Sequence, residues 1–113
     1  MQRAILSLAL SGAALAMVAA PAFARDARFI RSPAIGCTDR ALVERAGDLR
    51  EDGRGYDYQS LIRVALDTGE CRRLSPGLLV VVEDSDILGG LTKVRAQGEP
   101  LSVWVRDGAL SDN

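Results

Sequence analysis

The sequence predicts an α+β fold, in which an N-terminal helical hairpin precedes a small antiparallel β-barrel and one disulfide cross-links the domain. Two observations support this prediction. Apolar residues recur at helical spacing in two stretches between residues 39 and 67, separated by a Gly-Arg-Gly break. Beyond residue 71 the pattern changes to short β-branched or alternating runs, divided by Gly and Pro turns about every 8–12 residues.

The first residues have the order and composition of a cleavable secretory signal. Met1–Arg3 is a basic start, residues 4–20 are uncharged and apolar, and Ala22 and Ala24 supply the small residues that signal peptidase accepts. The apolar stretch approaches the ~20 residues that span a bilayer, so a retained anchor is the alternative. Pro21 and the Ala-Phe-Ala site favour removal instead.

We therefore predict a signal peptide over residues 1–24 and one mature domain over residues 25–113. Within that domain, residues 25–69 are expected to hold an extended segment and the helical hairpin, and residues 70–113 the β-module. No stable membrane insertion is expected after the signal is removed. The signal resembles those of bacteria, which implies a periplasmic or secreted protein.

The composition of the mature part limits the classes of function. It keeps 13 of the 14 basic residues and all 15 acidic ones, a formal charge of −2, whereas a nucleic-acid binder needs a concentrated basic face. The chain has no histidine, which removes the commonest general base and the imidazole ligands of zinc and copper. We therefore predict no nucleic-acid partner, no catalytic residue, no metal site and no cofactor, and expect a protein that is not an enzyme.

The two helices are predicted from apolar periodicity and from their ends. The first spans residues 39–51, with Thr38 or Asp39 as N-cap, and the second spans residues 57–67, with Gly69 as terminator. Pro33 blocks a helix before them, so residues 25–36 are predicted to be extended. The apolar faces of the helices comprise Leu42, Val43, Ala46 and Leu49 in the first and Tyr58, Leu61, Ile62, Ala65 and Leu66 in the second.

Cys37 and Cys71 flank the predicted hairpin and should therefore lie at the same end of it. In an oxidising compartment two thiols in a small domain usually form a structural disulfide, worth about 3–4 kcal/mol for a loop of this length. A redox-active pair, a metal site and an intermolecular bridge are the alternatives. The chain lacks a Cys-x-x-Cys motif and other soft ligands, so we predict an internal disulfide.

Three strands are predicted after Cys71, over residues 78–82, 91–96 and 101–106. Ser75-Pro76-Gly77 precedes the first strand, and the acidic residues 83–86 are interpreted as a solvated turn rather than a weak calcium site. Gly89-Gly90 and Gly98-Glu99-Pro100 supply the remaining turns.

This β-half resembles bacterial SH3-like domains. Residues 76–82 (PGLLVVV) are similar to the hydrophobic strand after a Gly turn, and residues 91–95 (LTKVR) to the next strand. Gly98, Trp104-Val105 and Ala109-Leu110 resemble the closing part of the family, so the match covers about residues 70–110. The layout as a whole resembles small exported bacterial proteins of unknown function. The resemblance implies an SH3-like barrel and a binding role.

The candidate binding residues are Trp104, Arg95 and Arg106. Trp104 is the only tryptophan, and it is either partly buried core or an exposed platform for a partner. Arg95 and Arg106, with Arg72-Arg73, form a basic stripe if they share one face of the sheet, or a salt-paired surface if they do not.

Two functions from different classes follow. The first is a periplasmic, non-enzymatic interaction module that binds a protein or a cell-envelope component near Trp104 and the arginines. The alternative is a small exported inhibitor of a hydrolase, or an envelope stress protein, although the sequence singles out no inhibitory loop.

Overall fold

The computed structural model describes residues 26–112, in which two helices lie against one face of a six-stranded antiparallel sheet. The predicted signal peptide, residues 1–24, lies outside the described residues. The elements in chain order are β1 (Ala27–Phe29), β2 (Ala34–Cys37), α1 (Arg40–Glu51), α2 (Gly55–Thr68), β3 (Cys71–Leu74), β4 (Leu79–Asp86), β5 (Leu91–Ala96), β6 (Ser102–Arg106) and a 3₁₀ turn (Asp107–Ala109).

The predicted SH3-like barrel is wrong, because the sheet is open. Its strand order is β1-β4-β5-β6-β2-β3, so β1 and β3 form the two edges, and within residues 26–112 they do not pair with each other. The barrel was inferred from three strands after Cys71. Three further strands, β1 and β2 from the N-terminal segment and β3 directly after the hairpin, join the sheet and extend it to six.

The predicted N-terminal position of the hairpin is also wrong. β1 and β2 precede the helices, which are inserted between the neighbouring strands β2 and β3. Ala27 pairs with Val81 and Ala34 with Leu74, both far along the chain. Because β1 has only three residues and Pro33 interrupts the segment, local periodicity could indicate extended chain there but not sheet.

The helices themselves are confirmed, with ends within two residues of the prediction. The Asp39 side chain accepts a hydrogen bond from the backbone N–H of Ala41 at 3.0 Å, which caps the first helix. Gly69 ends the second helix with φ of 83°, a left-handed conformation that glycine adopts without a Cβ penalty. The two helices contact each other as a hairpin.

The sheet has an apolar cluster on each face. The inner core lies on the face away from the helices and consists of Ile30, Leu74, Val80, Val94, Ala96, Val103, Val105 and Leu110. The helix-side core lies under the hairpin and consists of Cys37, Val43, Ala65, Cys71 and Leu91. Leu74 comes from one edge strand and Ile30 directly follows the other, so the inner core brings the two ends of the sheet together.

The acidic residues 83–86 lie in a strand, not in the predicted turn. β4 continues through them to Asp86, with a bulge between Val82 and Asp84, and Asp84 stands opposite Lys93 of β5. Residues 83–85 are exposed, and a strand end whose side chains face solvent has no apolar alternation from which the strand could be predicted.

The predicted disulfide is confirmed. Cys37 of β2 is paired in register with Cys71 of β3, and their sulfurs are bonded at 2.04 Å. Both residues are buried, at 1% and 3% exposure. Within residues 26–112 no helix has the length and apolar character needed to cross a membrane.

Candidate functional site

Trp104, the first predicted binding residue, is partly buried beside the helix-side core. It is in register with Cys37 of β2 on one side and with Lys93 of β5 on the other. The Arg40 guanidinium carbon of α1 lies 5.7 Å from the centroid of the ring, and the Lys93 Nζ lies 6.0 Å from it. Cations within about 6 Å are attracted to the ring face, so Trp104 already has partners within the chain and is not an open platform.

Arg95, the second predicted residue, is neutralised by a neighbouring carboxylate. Its Nε lies 2.9 Å from an Oε of Glu83, which also accepts a hydrogen bond from the Ser102 hydroxyl. Arg72 is paired in the same way with Glu99 at 2.6 Å. These two arginines therefore form the salt-paired surface that was the alternative to a basic stripe.

Arg106, the third predicted residue, lies apart from Arg95. Arg95 is in register with Ser102 at the start of β6, whereas Arg106 ends that strand, roughly 13 Å away at ~3.3 Å per residue. The structure thus separates the two arginines: Arg106 lines the cavity described below, whereas Arg95 lines a different one of about 430 Å³.

The position of Arg106 depends on Gly47 in the middle of α1. A Cβ added at Gly47 would stand 1.6 Å from Nη2 of Arg106 and 2.7 Å from its Cζ. The guanidinium therefore lies against the helix backbone in space that only glycine leaves open. An interior glycine weakens a helix by about 0.5–1 kcal/mol relative to alanine, and this contact is the structural reason for it here.

The cavity beside Arg106 is a groove of about 670 Å³ between the hairpin and the β2–β3 end of the sheet. That volume lies within the ~300–1,000 Å³ of small-ligand sites. Its floor is apolar and buried, and includes Cys37, Val43, Ala46, Ile62, Leu74 and Ala109. Its rim carries three exposed arginines, Arg50, Arg73 and Arg106. We call this the arginine groove.

The charge of the arginine groove is one-sided. None of the described residues that line it is acidic, and the four ion pairs found in residues 26–112 use other basic residues. The Arg50 guanidinium carbon lies 5.1 Å from the centroid of the Tyr58 ring, a cation–π contact at the edge of the groove. Ser32, Ser75 and Tyr58 add hydroxyl groups to the lining.

This donor set is suited to binding an anionic group. Arginine offers a rigid fork of N–H donors that matches carboxylate and phosphate, and it stays protonated at physiological pH. Among residues 26–112 no carboxylate lines the groove, and the sequence contains no histidine that could act as a general base there. Residues 26–112 hold no group of three His, Cys, Asp or Glu side chains placed to bind a metal.

Sequence reasoning missed Arg50 and did not distinguish Arg73 from Arg72. Arg73 is in register with Ile35, on the face that the helices cover, whereas Arg72 is in register with Gly36 on the other face. Val43, Ala46, Gly47 and Arg50 recur at three- and four-residue spacing on α1. The sequence did contain a signal for the groove, namely a glycine and an arginine on an otherwise apolar helix face.

The comparisons with known proteins add no relative to this picture. The sequence matches no protein-family model, no curated protein and no solved structure.

Proposed function

We propose that the protein is an exported, non-enzymatic binding module whose arginine groove takes an acidic, partly apolar peptide segment. One observation carries the proposal: three exposed arginines surround an apolar floor, and no acidic residue lines the groove among those that the structure describes. Export is supported by the leader-like first residues and by the buried disulfide, which oxidising compartments favour.

The apolar floor selects for the body of the ligand. Ala34 and Ile35 line the groove and are only partly buried, so an aliphatic side chain that enters it exchanges water for an apolar surface. Burial of such a side chain contributes about 25 cal/mol per Å². An inorganic anion alone would leave this surface unused.

The arginines select for the charge of the ligand. Hydrogen bonds to an ionised group are worth about 1.5–3 kcal/mol each, and a carboxylate can accept two from one guanidinium. Nucleic acid is a poor match, because Arg72, Arg95 and Arg40 are paired with carboxylates and present no continuous basic surface.

The proposal is tested by titrating the oxidised protein with acetyl-Glu-Leu-Leu amide and with its neutral analogue acetyl-Gln-Leu-Leu amide, followed by NMR chemical shifts. We expect shifts at residues lining the arginine groove. We expect the Glu peptide to bind about tenfold more tightly than the Gln peptide, since a lost charge-assisted hydrogen bond costs at least about 1.5 kcal/mol.

The double variant Arg73→Gln/Arg106→Gln should remove this preference. Arg45→Gln is the matched control, because Arg45 is exposed on the same helix as Arg50 but does not line the groove. Equal affinity for the two peptides, or equal loss in the control, would contradict the proposal.

A further inference from the structure

A second surface feature is the apolar tip, defined as Ile87 and Leu88 in the turn between β4 and β5. Ile87 is 87% exposed and Leu88 is fully exposed. Turns of this kind usually carry polar residues, and exposed aliphatic pairs at a turn contribute nothing to the core. The tip is therefore available for contact with another molecule.

The tip is held in one shape by polar contacts at its base. The Asp86 carboxylate accepts the backbone N–H of Gly89 at 3.1 Å and pairs with Arg40 of α1 at 3.1 Å. At the other end of the turn, the Gly90 carbonyl accepts a hydrogen bond from the backbone N–H of Asp107 at 2.9 Å. A preordered loop loses little conformational entropy when it binds, which favours its use as an inserted element.

Three carboxylates precede the tip in β4, those of Glu83, Asp84 and Asp86. Glu83 and Asp86 are paired with arginines, but Asp84 has no ion pair within residues 26–112, and its carboxylate accepts only the adjacent Ser85 N–H, at 2.8 Å. The tip thus presents two aliphatic side chains, and the strand before it carries a carboxylate, Asp84, that forms no ion pair with any described residue although Lys93 stands opposite it in β5. These carboxylates make an anionic membrane a poor partner, since like charges repel.

The arginine groove of the same chain has the complementary properties. It offers an apolar floor, three arginines and no acidic lining among the described residues. The tip does not occupy the groove of its own chain, because Leu88 is fully exposed. We propose that the apolar tip inserts into the arginine groove of a second copy of this chain, with Asp84 directed to the groove arginines. The inference rests on the proposed function, because it uses the same groove.

The geometry favours a closed dimer. Leu91, the first residue after the tip's turn, is in register with Arg106, and Asp107 bonds to Gly90. Tip and groove therefore lie at the same end of the β5–β6 pair. Two copies related by a two-fold axis can each insert a tip into the other's groove, so the association should stop at two copies.

The experiment measures the mass of the oxidised protein by sedimentation over a range of concentrations. We expect a concentration-dependent monomer–dimer equilibrium. The variant Ile87→Ser/Leu88→Ser should weaken dimerisation by at least about tenfold, because it removes two apolar anchors from each copy. Leu101→Ser is the matched control, since Leu101 is exposed in a different turn and should leave the equilibrium unchanged.

A mixing experiment tests the pairing of tip with groove. The charge-reversed variant Arg73→Glu/Arg106→Glu should be monomeric by itself, and so should the tip variant. Mixed together, they should form a one-to-one heterodimer through a single intact contact, because one supplies an intact tip and the other an intact groove. This heterodimer should be weaker than the wild-type dimer, which has two such contacts. Both variants change exposed residues, and circular dichroism verifies that each is folded.

The outcomes separate this inference from the proposed function. A wild-type protein that remains monomeric at millimolar concentration, a tip variant that dimerises as the wild type does, or a mixture that forms no heterodimer each overturns the tip-in-groove contact. The tip variant keeps its groove, so its titration with the Glu and Gln peptides tests the proposed function independently. Loss of peptide discrimination there would overturn the proposed function, whatever the oligomeric state.

Discussion

At the scale of single residues, the groove depends on Gly47 as much as on its arginines. Arg106 can lie across α1 only because no Cβ stands at Gly47. Glycine at an ordinary helical position costs stability without any conformational need. The chain therefore carries a destabilising residue whose visible effect is to place a guanidinium at the groove.

We predict that Gly47→Ala stabilises the fold and weakens binding. The helix should gain up to about 1 kcal/mol, because the only group in the way is the flexible end of Arg106. That gain corresponds to a melting temperature about 4–8 °C higher for a domain of this size. Displacement of the guanidinium should at the same time weaken binding of the acetyl-Glu-Leu-Leu probe about tenfold, as measured by NMR titration.

Gly55→Ala is the control for this prediction. Gly55 begins α2, and an added Cβ there meets nothing within 4 Å, so the change should leave binding as it is. In the double variant Gly47→Ala/Arg106→Gln the two losses should not add, because both act through one guanidinium. Additive losses would show that Gly47 acts in another way.

At the scale of elements, the parts fixed by local patterns were predictable. The helices have amphipathic faces, an Asp39 cap and a Gly69 terminator, and β5 has a clear alternation, so each was located from nearby residues alone. β1 and β2 were not, because their role is decided by partners far along the chain. The extent of β4 was missed for a different reason, since its second half faces solvent.

The candidate site was predictable only in part for the same reason. Arg106 could be singled out from the sequence, but its separation from Arg95 depends on strand register. Its neighbours Arg50 and Arg73 come from a helix and a strand that only the tertiary fold brings together. Ion pairs such as Arg95 with Glu83 join different strands, so local sequence could not indicate which arginines are neutralised.

The disulfide ties the helical insertion to the sheet. Cys37 and Cys71 end and begin the strands on either side of the hairpin, with a sequence separation of 34. In the unfolded chain this link closes a loop that contains both helices, which removes conformational entropy worth about 3–4 kcal/mol. The free energy of unfolding of a small domain is about 5–15 kcal/mol in total, so the disulfide supplies a large share of it.

We therefore predict that Cys37→Ala/Cys71→Ala lowers the free energy of unfolding by about 3–4 kcal/mol, measured by urea denaturation under non-reducing conditions. The control is the wild type with and without iodoacetamide, which should behave identically because both thiols are bonded. A loss below about 1 kcal/mol would contradict the entropic account of the link.

At the scale of the whole molecule, the chain does not divide into a helical half and a β half. The sheet takes strands from both sides of the hairpin, and β2 stands between β6 and β3 in the strand order. Ile30, which follows β1, is 1% exposed and bridges to Leu110 near the other end of the chain. The inner core is therefore complete only when the N-terminal strands are present.

We predict, for this reason, that the fragment comprising residues 70–113 does not fold by itself. Without β1 and β2 it loses an edge strand, leaves β3 with no neighbour and exposes the inner core where Ile30 and Ala34 pack. Its NMR spectrum should show the narrow amide dispersion of an unfolded chain, and its thermal transition should lack cooperativity.

The fragment of residues 26–113 is the matched control, since it contains every strand described here, and it should give a dispersed spectrum. Adding a synthetic peptide of residues 26–38 to the short fragment restores only two strands, and both helices would still be missing from the helix-side core. That mixture should therefore remain unfolded, whereas an independently folded β-module would give a dispersed spectrum even without the peptide.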